Sequence, residues 1–120
     1  MKKKTLIIGA STKAWRFSNK AAHRLVEHGH PIVLLGKDEG EVEGVKILHE
    51  TPKDSDFDTV TVYVNPSIQA EYYDYIISLK PKRIVFNPGT ENPEFERKAE
   101  ENGIEVVEDC TLVMLRSGTF

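Results

Sequence analysis

The sequence predicts an α/β protein with a doubly wound parallel sheet of about five strands and helices on both faces. Three observations lead to this prediction. Short apolar runs alternate with amphipathic helical patterns along the chain. The runs are apolar throughout, which is typical of parallel strands that are covered on both faces. No linker, repeat or low-complexity tract divides the 120 residues, so we expect a single domain over residues 1–120.

The first half of the chain contains two predicted strands and one predicted helix. Residues 5–8 form one apolar run, and residues 32–35 form the next. Between them, apolar residues recur at the three- and four-residue spacing of one helical face. This spacing predicts a helix over 20–27, which Gly29 ends. A weaker extended segment is predicted at 45–48.

The second half repeats this alternation and carries a recurring signal for helix starts. In both Asn65-Pro66 and Asn92-Pro93, an asparagine suited to capping precedes a proline suited to the first helical position. Each pair therefore predicts a helix. The helix that Asn65-Pro66 opens presents one apolar stripe at spacings of three and four, formed by Ile68, Tyr72, Tyr75, Ile76 and Leu79. The other predicted segments are a third strand at 59–64, a fourth at 83–86, a fifth at 104–107 and a tail at 110–120.

The order of these elements places the expected ligand site. Strands joined by right-handed helical crossovers form a Rossmann-like sheet. Such sheets bind ligands outside the carboxyl ends of their strands, where the strand order reverses. The loops that follow the predicted strands are therefore expected to carry the residues that bind a ligand.

Composition excludes several classes of function. A net charge of −3 and a pI of about 5.8 argue against a binder of DNA or RNA, whose surface is usually basic. A single cysteine cannot form an internal disulfide or a multi-thiolate zinc site. No apolar run approaches the roughly 18 residues of a membrane span. We expect a cytoplasmic protein with no nucleic-acid partner, no membrane partner and no metal.

The loop after the first strand has the composition of a phosphate-binding loop. A glycine at the strand end allows a sharp turn, and small neighbours let backbone amides approach an anion. Hydroxyl groups and two basic side chains add further donors. The alternative is a solvated turn in which Ser18 only caps the helix. The candidate residues are Gly9, Ala10, Ser11, Thr12, Lys13, Arg16, Phe17 and Ser18.

This loop does not match the dinucleotide fingerprint. With Gly9 as the first glycine of G-x-G-x-x-G, the second and third positions fall on Ser11 and Ala14. Asp38 or Glu39, after the second strand, could bind a ribose hydroxyl. The alternative is that these residues are solvated side chains in a charged surface segment. An oxidoreductase that binds NAD(P) therefore remains an alternative.

Three other strand ends supply candidate residues. Asn65-Pro66 follows the third strand, Pro88-Gly89 follows the fourth, and Cys110 follows the fifth. Each also has a purely structural interpretation: a helix cap, a tight turn and a small buried apolar residue, respectively.

Taken together, these segments resemble a known family. The chain is similar to the small stand-alone CoA-binding proteins of bacteria and archaea, and to the CoA-binding domain of the succinyl-CoA synthetase α subunit. The segments that carry the resemblance are Leu6-Ile7-Ile8-Gly9-Ala10-Ser11, Arg16-Phe17-Ser18, Asn65-Pro66, Asn87-Pro88-Gly89, Asn92-Pro93-Glu94-Phe95-Glu96, and residues 102–110.

The resemblance implies CoA or an acyl-CoA as the ligand. It implies that the first loop cradles the CoA phosphates, and that Asn65-Pro66 and Pro88-Gly89 line the path of the nucleotide and the pantetheine. The sequence departs from the family after the second strand, where Gly36-Lys37 stands in place of an Asn-Pro pair. Gly36 would allow close approach and Lys37 could meet a phosphate. Because of this departure, three alternatives stay open: the protein binds CoA weakly, binds another nucleotide, or has lost binding.

Three hypotheses of function follow. The first is non-catalytic binding of CoA or an acyl-CoA. The second is an enzyme, either an NAD(P)-dependent oxidoreductase or an acyl-CoA-handling protein that uses Cys110. The third is a regulatory module that docks on an unidentified protein partner. A homodimer is a further hypothesis, because Tyr73 falls off the apolar stripe of its helix and is predicted to be exposed.

Overall fold

The computed structural model describes residues 2–120, and Met1 lies outside the described residues. The strands are β1 Thr5–Ile8, β2 Ile32–Leu35, β3 Glu41–Val42, β4 Val45–Leu48, β5 Thr59–Val62, β6 Arg83–Phe86 and β7 Glu105–Glu108. The helices are α1 Phe17–Glu27, α2 Pro66–Gln69, α3 Tyr73–Leu79, α4 Pro93–Glu101 and α5 Thr111–Ser117, with a 3₁₀ turn at Ala70–Tyr72 between α2 and α3.

The strands form one sheet in the order β3-β4-β2-β1-β5-β6-β7. β1 lies near its centre and pairs in parallel with β2 and β5, so that Thr5 lies opposite Ile32 on one side and Thr59 on the other. The chain first runs outward from β1 through β2 to β4, then starts again at β5 and runs outward to β7. The predicted α/β class and doubly wound parallel sheet are confirmed.

The sheet has seven strands instead of the predicted five. The weaker segment at 45–48 is strand β4, parallel to β2. A short hairpin adds β3, the one antiparallel strand among the described residues. Its turn uses Glu43 and Gly44, both with positive φ (54° and 75°), as a two-residue hairpin turn requires.

The remaining differences concern element ends and the tail. Helix α1 begins at Phe17, one turn before the predicted start. The predicted tail at 110–120 contains helix α5, which packs on α1 and buries Met114 and Leu115. Because α5 has only seven residues, its apolar pattern is too short to be recognised from the sequence alone.

Helices cover both faces of the sheet, as predicted. β1 is buried throughout, and its side chains alternate between the two faces. Leu6 and Ile8 belong to the core cluster that includes Phe95 of α4, whereas Ile7 belongs to the cluster that includes Leu25 of α1. No helix among residues 2–120 is long and apolar enough to cross a membrane.

The predicted exposure of Tyr73 is wrong. Its ring stacks on Phe95 with 4.4 Å between ring centroids. Its hydroxyl accepts a hydrogen bond of 2.6 Å from Nδ2 of Asn92, the residue that caps α4. Tyr73 therefore joins α3 to α4 and gives no support to a homodimer contact.

Candidate functional site

A cleft of about 450 Å³ opens at the carboxyl ends of β1 and β5. The strand order reverses between these two strands, so the cleft lies where a doubly wound sheet is expected to bind its ligand. The residues that line it are Gly9, Ala10, Ser11, Lys13, Arg16, Phe17, Ser18, Gly36, Lys37, Asp38, Tyr63, Val64, Asn65, Ile68, Tyr72, Pro88 and Thr90.

The loop after β1 is tied first to the neighbouring strand. Gly9 turns the chain with a φ of +95°, a conformation that residues with a side chain rarely adopt. The amides of Gly9 and Ala10 both donate to the carbonyl of Leu35, at 2.8 and 3.0 Å. These two amides therefore hold the loop against β2.

Asp38 engages the next donors of the same loop. Its Oδ2 accepts hydrogen bonds from Ser11 Oγ at 2.7 Å, Thr12 N at 3.0 Å and Thr12 Oγ1 at 3.3 Å. These bonds, with that of Ser11 contributing most, lower the pKa of the Asp38 carboxyl below its usual value. Asp38 is therefore not merely a solvated side chain. Its carboxylate occupies three of the donors that the sequence predicts for a phosphate.

The start of α1 carries donors that the protein itself does not use. Arg16 is the N-cap residue and makes no capping bond through its side chain, while Ser18 is buried inside the helix. The structural alternative for Ser18, a helix cap, is therefore wrong. Among the described residues, no acceptor is bonded to the amides of Phe17 and Ser18. These amides and the helix dipole favour an anion at this point.

Three basic side chains surround this helix start. Lys13, Arg16 and Lys37 all line the cleft, and all three are exposed. Within residues 2–120, none of them lies in an ion pair. Their charge is therefore available to a bound anion.

Gly36 explains how the loops after β1 and β2 come so close. A Cβ atom at this position would collide with the carbonyl oxygen of Ala10. The close approach expected of Gly36 is thus made to the protein's own backbone. The contact brings Lys37 and Asp38 to the loop after β1.

The opposite wall of the cleft is largely apolar and was not predicted. Tyr63 and Val64 follow β5, Ile68 lies on α2, and Tyr72 ends the 3₁₀ turn. The spacing of Ile68 and Tyr72 predicts that both lie on the inward stripe of one continuous helix. The helix is instead broken at Ala70–Tyr72, and both side chains border the cleft. Their position after a strand next to β1 was the signal that could have identified this wall.

Tyr63 contributes a buried hydroxyl group. The hydroxyls of Thr61 and Thr111 lie near this group, but it completes no hydrogen bond with them or with any other described residue. Burial raises the pKa of Tyr63 well above its ordinary value. Tyr63 therefore remains neutral and belongs to the apolar wall.

Amide side chains hold this wall in place. Asn65 caps α2, since its Oδ1 accepts from the amide of Ile68 at 3.1 Å and from the hydroxyl of Ser67 at 2.6 Å. Gln69 donates from Nε2 to the carbonyls of Val64 and Thr90, at 2.9 and 2.8 Å. The helix cap predicted for Asn65 is confirmed, and the same residue lines the cleft.

Asn87 fixes the loop after β6. It is 2% exposed, and its Nδ2 donates to Thr61 Oγ1 at 2.7 Å and to the carbonyl of Val62 at 2.8 Å. Its Oδ1 accepts from the amide of Thr111 at 2.9 Å. Asn87 therefore joins β5, β6 and the start of α5, and it positions Pro88 at the rim of the cleft.

Four of the predicted site residues do not line the cleft. Thr12 faces Asp38, and Pro66 is exposed at the start of α2. Gly89 is exposed in its turn, where its amide donates to Glu91. Cys110 is half-buried and precedes α5 beyond the end of β7. The other predicted residues are brought together around the cleft.

The two walls of the cleft define the chemistry of a suitable ligand. One wall offers uncommitted amides and three positive charges, and the other offers aromatic and aliphatic surface. A molecule with phosphate groups joined to an apolar or aromatic part matches both walls.

Solved structures share this fold. A crystal structure of an uncharacterized protein is 53% identical in sequence, with a TM-score of 0.98, and the match covers 100% of this chain and 99% of the other. Prb, a PH1109 protein redesigned for binding, is 26% identical, with a TM-score of 0.87 over 98% of this chain and 85% of its own. A hypothetical protein from Pyrococcus horikoshii OT3 is 29% identical, with a TM-score of 0.84 over 96% and 82%.

The family comparison agrees with the resemblance described above. No curated protein matches the chain. The family model described as "CoA binding domain" matches residues 3–116, which is nearly the whole chain. The chain therefore belongs to the CoA binding domain family.

Proposed function

We propose that this protein is a non-catalytic module that binds CoA or an acyl-CoA in the cleft between β1 and β5. The observation that supports this most strongly is at the start of α1. Two amides without acceptors, those of Phe17 and Ser18, lie beside the unpaired charges of Lys13 and Arg16. CoA carries a diphosphate and a ribose phosphate, which need donors of this kind.

The phosphates would lie at the basic wall. Backbone amides at a helix start bind phosphate oxygens directly, and the guanidinium of Arg16 can donate two parallel hydrogen bonds. Lys13 supplies a compact charge, and Lys37 adds another from the loop after β2. The proposed phosphate site therefore begins beyond Ser11 and Thr12, whose donors Asp38 occupies.

The adenine or the pantetheine arm would contact the opposite wall. Tyr72 offers an aromatic face, and Val64 and Ile68 offer aliphatic surface. Flat apolar groups gain free energy by leaving water for such a surface. This wall distinguishes the cleft from a site for inorganic phosphate.

The cleft is better suited to binding than to catalysis. Its carboxylate, that of Asp38, accepts three hydrogen bonds, and its lowered pKa makes it a weak base. Cys110 does not line the cleft, which disfavours its use as a nucleophile on an acyl group held there. A binding module without chemistry of its own would act through a protein partner, so we extend the proposal to a regulatory role.

Calorimetric titration with CoA, acetyl-CoA, NAD, NADPH and ATP tests the ligand. We expect micromolar binding of CoA or acetyl-CoA and much weaker binding of the dinucleotides. The double variant Lys13→Ala/Arg16→Ala should lose about 100-fold in affinity, because two charge-assisted contacts to phosphate are removed. The matched control Lys46→Ala/Lys53→Ala removes the same charge from residues outside the cleft and should bind as the wild type does.

Two results would contradict the proposal. Full CoA affinity in Lys13→Ala/Arg16→Ala would show that the phosphates lie elsewhere. Binding of NAD or NADPH without CoA would favour the oxidoreductase hypothesis. The engagement of Asp38 by Ser11 and Thr12 makes this second result unexpected, since a ribose hydroxyl would have to displace those bonds.

A further inference from the structure

A second concave surface lies between α1 and α5, and we call it the α1/α5 groove. Its volume is about 690 Å³. Helix α1 contributes Lys20, Arg24 and His28 to one side, and α5 contributes Leu112, Leu115 and Arg116. None of these residues lines the ligand cleft. The proposed function therefore does not account for this groove.

The rim of the groove is basic. Lys20, Arg24 and His28 follow one another at four-residue intervals, so they form one edge along α1. Arg116 adds a positive charge from α5. Glu27 also lines the groove, but its carboxylate is bonded to Arg24 at 2.9 and 3.0 Å. Two full positive charges therefore remain uncompensated.

This basic rim stands out against the charge of the rest of the chain. The net charge of the protein is −3, yet residues 1–36 contain seven lysines and arginines and a single acidic residue, Glu27. The acidic residues are concentrated beyond residue 36. Charge is thus segregated along the chain, and the α1 side of the α1/α5 groove belongs to its basic part.

The floor of the groove is apolar. Leu112 is half-buried and Leu115 is buried, and both line the groove. Large apolar side chains are also exposed on the same two helices outside the groove: Phe17 on α1, which lines the ligand cleft, is 66% exposed, and Val113 on α5 is 41% exposed. The side chain of Lys20 lies over the ring of Phe17, with Nζ 5.6 Å from the ring centroid. A basic rim around leucines is unlike an ordinary solvated helix surface.

We propose that the α1/α5 groove docks an acidic amphipathic segment of a partner protein. Apolar side chains of the segment would pack on Leu112 and Leu115, and its carboxylates would pair with Lys20 and Arg116. Glu27 bonds only Nη1 of Arg24, so the Nη2 and Nε groups of Arg24 would also donate to these carboxylates. Charge selects this occupant over a symmetric second copy, since a two-fold contact would bring two basic rims together. The leucine floor selects it over nucleic acid, which would need basic or stacking residues there.

The test uses a fluorescently labelled synthetic peptide with leucines at helical spacing and glutamates beside them. Fluorescence anisotropy should show binding at micromolar concentrations, weakening as salt is raised. The variant Arg24→Glu/Arg116→Glu should bind the peptide at least about tenfold more weakly. The control Lys46→Glu/Lys53→Glu makes the same change in net charge outside the groove and should bind as the wild type does. Neither arginine lines the ligand cleft, so CoA affinity should be unchanged in both variants.

A second variant guards against misfolding. Arg24→Gln/Arg116→Gln removes the charge without reversing it, and it should give a smaller loss of peptide affinity with the unfolding midpoint preserved. The proposal is overturned if the wild type does not bind the peptide, or if the control weakens binding as much as the groove variant. It is also overturned if a peptide with lysines in place of the glutamates binds equally well. Binding to anionic vesicles instead, or self-association that the groove variant abolishes, would likewise assign the groove to another occupant.

Discussion

Asp38 and Asn87 each join the loop after a strand to neighbouring elements. Asp38 does so at the edge of the cleft, and Asn87 does so in the interior of the protein. Each follows a strand of the sheet, and each makes three hydrogen bonds to residues of other elements. The Asp38 bonds reach a single charged oxygen at the edge of the cleft. The Asn87 bonds use both ends of a neutral amide that is 2% exposed.

The difference shows what each residue contributes. When a buried hydrogen bond is broken, its partners cannot bond to water instead, so the free energy of unfolding falls by the full penalty of the unsatisfied groups. When a bond at the surface is broken, water replaces the lost partner. We therefore expect changes at Asn87 to act on the stability of the fold. Changes at Asp38 should act on the electrostatics of the ligand site.

The largest effect is expected from Asn87→Ala. The truncation leaves the amide of Thr111 and the hydroxyl of Thr61 without this partner in the interior. The free energy of unfolding should fall by about 3 kcal/mol, as measured by urea denaturation. The control Asn102→Ala removes an exposed bond to the carbonyl of Lys98 and should cost much less. Equal losses in the two variants would mean that burial does not distinguish Asn87.

A smaller effect, on binding instead of stability, is expected from Asp38→Asn. The amide oxygen can still accept from Ser11 and Thr12, but the negative charge next to Lys13 is removed. Lys13 then attracts phosphate more strongly, and CoA affinity measured by calorimetry should rise by about threefold. Asp54→Asn removes the same charge far from the cleft and should leave affinity unchanged. Weaker CoA binding by Asp38→Asn would mean that the carboxylate itself organises the loop for the ligand.

The pH dependence of stability should also distinguish Asp38 from Asn87. The hydrogen bonds of Ser11 and Thr12 hold the pKa of Asp38 below the 3.8 of a free aspartate. A depressed pKa in the folded state stabilises the protein above about pH 4, and this stabilisation is lost as the pH falls further. Thermal unfolding between neutral and acidic pH should therefore show a smaller acid-induced loss in Asp38→Asn than in the wild type. Asn87, which does not titrate, adds nothing to this dependence.

The smallest effect is expected from Tyr63→Phe. Tyr63 lines the cleft, as Asp38 does, but its hydroxyl is buried, as Asn87 is. The variant removes a buried hydroxyl that has no partner among the described residues and keeps the ring on the apolar wall. The free energy of unfolding should rise by about 0.5 kcal/mol, because no hydrogen bond is lost and a polar group leaves the interior. CoA affinity should stay within about twofold of the wild type if only the ring contributes to the wall. A clear loss of stability would reveal a hydrogen bond of Tyr63 that bridges to Thr61 or Thr111.

Local signals in the sequence predicted much of the fold. The two Asn-Pro pairs predicted helix starts because the asparagine and the amide it binds are three residues apart. Buried strands such as β1 were recognisable because burial on both faces of a sheet selects a continuous run of apolar residues. The class of the fold followed from the alternation of such segments.

The arrangement of the site depended on contacts that the sequence does not display. Ser11 looked like a phosphate donor, but its partner, Asp38, lies 27 residues further along the chain. Tyr72 looked like part of one continuous helical stripe, but the break at Ala70–Tyr72 brings it to the cleft. Helix α5 was too short to have a pattern of its own, and it gains its stability by packing on α1.

The contact between Gly36 and the carbonyl of Ala10 limits how this protein can be redesigned. Many binding sites change specificity when one residue at their edge is exchanged. Here, any side chain placed at position 36 displaces the loop after β1, which carries the donors for the ligand. Introducing an Asn-Pro pair at positions 36 and 37 would therefore require exchanging both loops together. The two loops therefore act as one structural unit, and a protein in which only one of them is exchanged should fold poorly.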